Sequence, residues 1–227
     1  MTPGRVVVLS THLDDGVLSI GGWMYRAARS GSTITLVTVL AGDPNDTRPG
    51  SDWDHRSGFS TVGEAAAARR SEDRRACAIL GLGTSWLPFG DMLQGRGGSD
   101  EAVWSALAPL LANVDLVLAP GFPLSHPDHV WLTTLLLHRK DEDLPTGFYA
   151  EQPYRHHGGG ALGDPPAPGA GPVRWEPVRL SPRERVTKFR AVRRYRSQLT
   201  LLSDHRGLAR RLGLARGSAG EALAWAS

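Results

Sequence analysis

The chain has 227 residues, 41% of them hydrophobic and 22% charged, with a formal net charge of +3. This is the balance of a soluble globular protein with enough chain for one full core, so a single domain over residues 1–227 is expected. No apolar run reaches membrane-spanning length, and the N-terminal "VVVL" is too short for an export signal, so a cytoplasmic protein with no membrane partner is expected. Of the 26 basic residues only Lys140 and Lys188 are lysine. With the many Gly and Ala, this skew reads as a GC-rich coding sequence, not as selection for a polyanion. The basic stretches "RERVTKFRAVRRYR" and "HRGLARRLGLARG" fall at helical spacing and read as solvated faces, so no nucleic-acid partner is expected. The lone cysteine, Cys77, lies in an apolar helical pattern and reads as a buried structural thiol. Composition leaves homo-oligomerisation open.

In chain order, "RVVVLS" (5–10), "TITLVTVL" (33–40) and "VDLVLAP" (114–120) have the length and Val/Leu/Ile content of buried strands. "GVLSIGGWMYRAARSG" and "VGEAAAARRSEDRRACAILGLG" read as helices closed by glycine, and "DEAVWSALAPLLANV" as a helix capped by Asp100. The polar stretch 42–60, which carries Trp53 and Phe59, reads as a substrate-side loop. Residues 155–174 are so rich in Gly and Pro that an irregular excursion is expected. "SPRERVTKFRAVRRYRSQLTLL" opens with Ser181-Pro182, a helix start, and residues 204–227 read as a helical tail. The alternation of strands and helices predicts an α/β, Rossmann-like fold: a mostly parallel sheet with helices on both faces. The "GG" at 21–22 lacks the spacing of a dinucleotide fingerprint.

Ligands of such sheets gather at the carboxyl ends of the strands, where both His/Asp clusters fall. "THLDD" follows the first strand and "SHPDH" (125–129) follows "VDLVLAP". His12, Asp15 and His129 make a ligand set suited to zinc with an open position, or to another borderline divalent metal. A metal-activated water needs a group to take its proton and return it to the leaving atom, a role open to Asp14. It would also explain an acidic pair, because a divalent cation makes adjacent carboxylates favourable. His126 is placed to stabilise an oxyanion, and Asp128 to orient an imidazole from behind. The remaining histidines, His55, His138, His156, His157 and His205, carry no such pattern.

"STHLDDGVLSIGG" together with "SHPDH" resembles the PIG-L / LmbE-like N-acetylglucosaminyl deacetylases, whose first motif is a His-Pro-Asp-Asp stretch followed by Gly-Gly. "RRSEDRRACAILGL", the later Asp91 in "PFGDML", and "KFRAVRRYRSQL" with its Tyr-x-Ser-Gln ending extend the resemblance over about residues 5–200. The resemblance implies one Zn2+ on His12, Asp15 and His129, Asp14 as general base and acid, and His126 on the oxyanion side. It also implies Arg69 and Asp91 as residues that hold the sugar; Glu72 reads as a packing partner. The implied reaction is hydrolysis of the acetamide of an N-acetylglucosamine-type sugar or conjugate, a small-molecule amino-sugar substrate. Amide cleavage in a thiol-sugar conjugate or an antibiotic intermediate is a second reading, and non-catalytic sugar or nucleotide binding a third. Leu13 stands where the family usually has proline, and Gly16 where glutamate is frequent.

Overall fold

A computed structural model describes residues 4–92, 95, 97–121, 126–152, 173–202 and 220–226. Its strands are β1 (Arg5–Ser10), β2 (Thr33–Thr38), β3 (Gly83–Trp86), β4 (Leu116–Pro120), β5 (Thr146–Tyr149), β6 (Val173–Val178) and β7 (Glu221–Ala226). Its helices are α1 (Asp15–Arg29), α2 (Asp52–Arg56), α3 (Val62–Leu80), α4 (Asp100–Leu111), α5 (Pro127–Arg139), α6 (Pro182–Val192) and α7 (Arg196–Leu202). The strands form one sheet in the order β3-β2-β1-β4-β5-β7-β6. β3, β2, β1, β4 and β5 pair in parallel, and β7 pairs antiparallel with both β5 and β6. The expected mostly parallel α/β sheet is therefore present.

Side-chain alternation along β1 separates two cores. Val6 and Val8 pack with α1, α3 and α6 residues such as Met24, Leu80 and Val192, whereas Val7 and Leu9 pack with Leu107 of α4 and Leu136 of α5. Helices thus cover both faces, and the central strands β1, β4 and β5 are almost fully buried, whereas the edge strands β3 and β6 stay partly exposed. The helix starts follow local chemistry. Thr61 and Ser181 each close a capping box with the Glu three residues on, and Pro182 occupies the first turn of α6.

Four expectations are corrected. The cap of α4 is Ser99, whose hydroxyl accepts from Ala102 N, and Asp100 is the first helical residue. The 42–60 stretch contains α2, held by a Ser51–Asp54 capping box. The single helix expected from Ser181 onward breaks into α6 and α7 around Tyr195, whose hydroxyl donates to Asp73 Oδ1 at 2.6 Å. The tail expected to be helical ends instead in strand β7, which inserts between β5 and β6; Pro-and-Gly-rich 155–172, and 203–219 of the tail, lie outside the described residues.

The inserted strand also explains the glycine pair. Helix α1 is broken at Ile20 (φ −130°, ψ 25°), so the backbone groups flanking the break need other partners. Glu221, at the start of β7, accepts from Gly22 N and Trp23 N at 2.8 Å each. Lys188 of α6 donates to Ser19 O at 3.2 Å and pairs with Glu221 Oε1 at 2.8 Å. A Cβ at Gly22 would lie 2.4 Å from Leu180 Cδ1 and 3.0 Å from Glu221 Oε1, so a side chain there requires those groups to shift.

Candidate active site

The carboxyl ends of three neighbouring strands deliver the site. β1 runs into His12, Asp14 and Asp15, β4 leads to His126, Asp128 and His129, and β5 leads to Glu151. The first turn is held tightly: Ser10 Oγ donates to His12 O at 2.7 Å and accepts from Gly16 N at 3.0 Å, while Asp15 Oδ2 accepts from His12 N at 2.8 Å. A side chain at Gly16 would place its Cβ 2.7 Å from Leu36 Cδ1, so bulk there requires Leu36 to move. Asp14 sits at the helix N-cap with φ 155° and ψ −34° and makes no side-chain cap bond. Backbone in so sparsely populated a region costs on the order of 1–3 kcal/mol and is retained where the surroundings enforce it.

Three ligand-type atoms converge. His12 Nδ1 lies 3.1 Å from His129 Nε2, and Asp15 Oδ2 lies 3.3 Å from each of them. A tetrahedral ion bonded at about 2.0–2.1 Å spaces its ligands about 3.3–3.4 Å apart, so this triangle fits one such ion with a fourth position left over. His126 also belongs to a metal-capable group with His12 and His129, and Glu151 to one with Asp15 and His129, all within 4.8 Å. The three imidazole centroids stand 5.0–5.2 Å from one another.

The electrostatics divide the two adjacent aspartates. Burial and the neighbouring Asp15 charge push the Asp14 carboxyl well above its ordinary range. Asp15 is buried too, but His129 and His12 beside it reverse that penalty and hold it low. Adjacent carboxyls driven apart in this way can serve, one as a standing anion and the other as a proton carrier. Burial works against a charged His12 ring, yet hydrogen bonds and charge from Asp128 and Asp15 lift it to about 10. Asp15 and Asp128 thus favour positive charge at this spot.

His126 is the N-cap of α5, and its Nδ1 accepts from Asp128 N at 3.2 Å. That leaves the ring proton on Nε2 in the neutral form. Burial and the facing His12 and His129 push its pKa down, which favours that neutral form. Asp128 is fully buried; its Oδ2 lies 3.4 Å from His12 Nε2 and accepts from Met92 N at 3.2 Å.

A cavity of about 290 Å³ opens beside this cluster, lined by His12, Asp14, Asp15 and His126 on one side and by Trp53, Arg69, Asp91 and Gln198 among others beyond. Leu13 is buried and lines it as well. Arg69 Nη1 is 2.7 Å from Asp54 Oδ1, while its buried Nε and Nη2 have no hydrogen-bond partner among the described residues. Trp53 Nε1 donates to Gln198 Oε1 at 3.0 Å, which ties α2 across to α7. Glu72 accepts from Ser197 N and Oγ at 3.1 and 2.7 Å, and so anchors the start of α7. The Tyr-x-Ser-Gln stretch is therefore pinned by Asp73 and Glu72 and presents Gln198 to the cavity. His55 and His138 are exposed, whereas His156, His157 and His205 lie outside the described residues.

Sequence reasoning missed Glu151, Asp54 and Gln198 as site residues. Glu151 carried a readable signal: it directly follows the apolar run "GFYA", at the same end of the sheet as both histidine motifs.

Residues 7–139 match the PIG-L family, GlcNAc-PI de-N-acetylase. The chain belongs to this family. A 1D-myo-inositol 2-acetamido-2-deoxy-alpha-D-glucopyranoside deacetylase of Streptomyces griseus subsp. griseus is 26% identical over 168 residues, 66% of this chain and 52% of the relative. The chain thus spans about half the length of that curated relative. Among solved structures, a teicoplanin deacetylase in its zinc-inhibited form superposes with a TM-score of 0.79 at 25% identity, covering 97% of both chains. An antimicrobial pseudoaglycone deacetylase matches with a TM-score of 0.79 at 25% identity, over 98% of this chain and 96% of that one. Both PIG-L motif clusters, "THLDD" and "SHPDH", fall inside the matched span. Among the described residues no helix is long and apolar enough to cross a membrane.

Proposed function

We propose that this PIG-L protein is a zinc-dependent N-deacetylase that hydrolyses the acetamide of an N-acetylglucosamine-type sugar or sugar conjugate. The observation that carries this reading is the closed triangle of His12 Nδ1, Asp15 Oδ2 and His129 Nε2, 3.1–3.3 Å on a side, with Asp14 next to it on strained backbone. His12, Asp15 and His129 would hold the ion. Bound zinc supplies Lewis acidity and lowers the pKa of water in its open position to about 7.

The chain's own residues carry the rest. Asp14, raised by burial and by Asp15, is the base that takes the proton of the attacking water. It then returns that proton to the sugar nitrogen as the carbon–nitrogen bond breaks, releasing acetate and the free amine. His126, which lines the cavity with its proton left on Nε2, would donate to the oxyanion that develops on the acyl oxygen. Arg69, fixed by its pair with Asp54, lines the cavity with Asp91, and the two would hold the sugar.

An antibiotic intermediate is the conjugate class favoured here. The two antibiotic-type deacetylases match this chain over 96% or more of their length, whereas the inositol-sugar deacetylase is matched over about half. The test is to load the purified protein with one equivalent of zinc, because the teicoplanin relative is known in a zinc-inhibited form and excess metal must be avoided. Free GlcNAc, GlcNAc-inositol, nucleotide-linked GlcNAc and an N-acetylglucosaminyl glycopeptide are then offered, with free amine detected by mass spectrometry. Amine release that chelator abolishes supports the reading. Tight sugar binding with no amine released from any substrate would replace it with a binding function.

A further inference from the structure

The interior of the sheet's carboxyl edge holds a contact that the hydrolytic roles do not use. Glu151 follows β5 directly, and its Oε1 lies 2.6 Å from His129 Nδ1, with the two side chains 1% and 0% exposed. The flanking backbone is fixed on both sides. Ala150 N donates to Ala222 O of β7 at 3.0 Å, and Gln152 N donates to Ser19 Oγ of α1 at 3.0 Å. Glu151 therefore has no freedom to swing toward solvent, and it meets the ring nitrogen opposite the one that faces His12 and Asp15.

A neutral imidazole carries one proton on one of two nitrogens, and a buried carboxylate accepts but cannot donate. With Glu151 on Nδ1, the ring proton belongs on Nδ1 and the lone pair on Nε2. We propose that Glu151 is a positioning residue that fixes the tautomer and ring orientation of His129, so that Nε2 is presented as a metal-ligating atom. The proposal rests on the metal reading above, because it assigns Glu151 to the geometry of one of the three ligands. Glu151 is not itself assigned as a ligand, since its near oxygen is engaged on the far side of the ring from the triangle. Partners of this kind raise the basicity of a ligating histidine, and losing one weakens metal binding by about 10- to 100-fold.

The experiment compares wild type with Glu151→Gln and Glu151→Ala, measuring zinc affinity by competition with a chromophoric chelator. Long-range 1H–15N correlation spectra of histidine-labelled wild type report the His129 tautomer at a pH where the ring is neutral. The wild type is expected to show the Nδ1–H tautomer. Glu151→Gln keeps an acceptor for that proton without the charge and is expected to lose about 10-fold in zinc affinity, with Glu151→Ala losing more, toward about 100-fold. An Nε2–H tautomer in wild type overturns the proposal, as does a folded Glu151→Ala that binds zinc as tightly as wild type. Should Glu151→Ala fail to fold, Glu151→Gln and the wild-type tautomer decide the matter. Failure of wild type to take up zinc would strike the metal reading, while the tautomer would still judge Glu151.

Discussion

Replacing Lys188 with methionine tests the splint behind the candidate site. Lys188 Nζ lies 2.8 Å from Glu221 Oε1, with both side chains 0% exposed, and it also donates to Ser19 O. Lys188→Met roughly keeps the volume and removes the cation. Glu221 retains its two backbone donors, Gly22 N and Trp23 N, but is left as a buried anion without its paired cation. Breaking a buried ion pair from one side costs about 3–5 kcal/mol. For a chain of this size about 2–4 °C of Tm is lost per kcal/mol, so a fall of about 6–20 °C is expected in a thermal melt followed by circular dichroism. Adding Glu221→Gln removes the stranded charge while leaving one oxygen to accept from α1, so the double variant should regain about 1–3 kcal/mol over Lys188→Met alone. A Lys188→Met protein that melts within about 2 °C of wild type would refute the reasoning. So would a double variant no more stable than the single one.

Two further outcomes are expected. Asp14→Asn should lower kcat by at least about 100-fold while zinc stoichiometry, read by atomic absorption, stays at that of wild type; loss of zinc would instead make Asp14 a ligand. The Arg26–Glu184 pair joins α1 to α6, and its hydrogen bonds hold Glu184 at about 2, below its ordinary value of 4.5. The stability it contributes is present above pH 4.5 and is lost as pH falls from there toward 2. Because Arg26 is 39% exposed, screening limits that contribution to about 1 kcal/mol. In denaturant titrations Glu184→Gln should therefore be less stable than wild type at pH 7, with the gap closing near pH 2. A gap that persists unchanged at pH 2 would assign the loss to packing instead of charge.

Much of this protein is written locally in its sequence. The Val-rich β1 and the β-branched β2 are short strand-forming runs, the capping residues Thr61 and Ser181 start their helices by bonds three residues long, and the alternation of strands and helices makes the β1–β5 part of the sheet parallel. "THLDD" and "SHPDH" could be read as one site because both follow strands of that sheet, whose carboxyl ends lie together. Tertiary structure alone decided the rest. β7 is a strand because its backbone finds partners in β5 and β6, a pairing across distant segments with no trace in the periodicity of residues 204–227. The break at Ile20 exists because Glu221 and Lys188, about 200 and 170 residues away along the chain, satisfy its freed backbone groups. Glu151 meets His129 for a similar reason, since adjacency of β4 and β5 is a property of the sheet. The two aspartates look alike in the string, and their opposite pKa shifts arise from what folding puts around each: two imidazoles beside Asp15, and burial beside an anion for Asp14. Residue type and spacing are local properties, and those the sequence determines; charge environment and strand partnership are sums over the whole fold, and only the folded chain sets them.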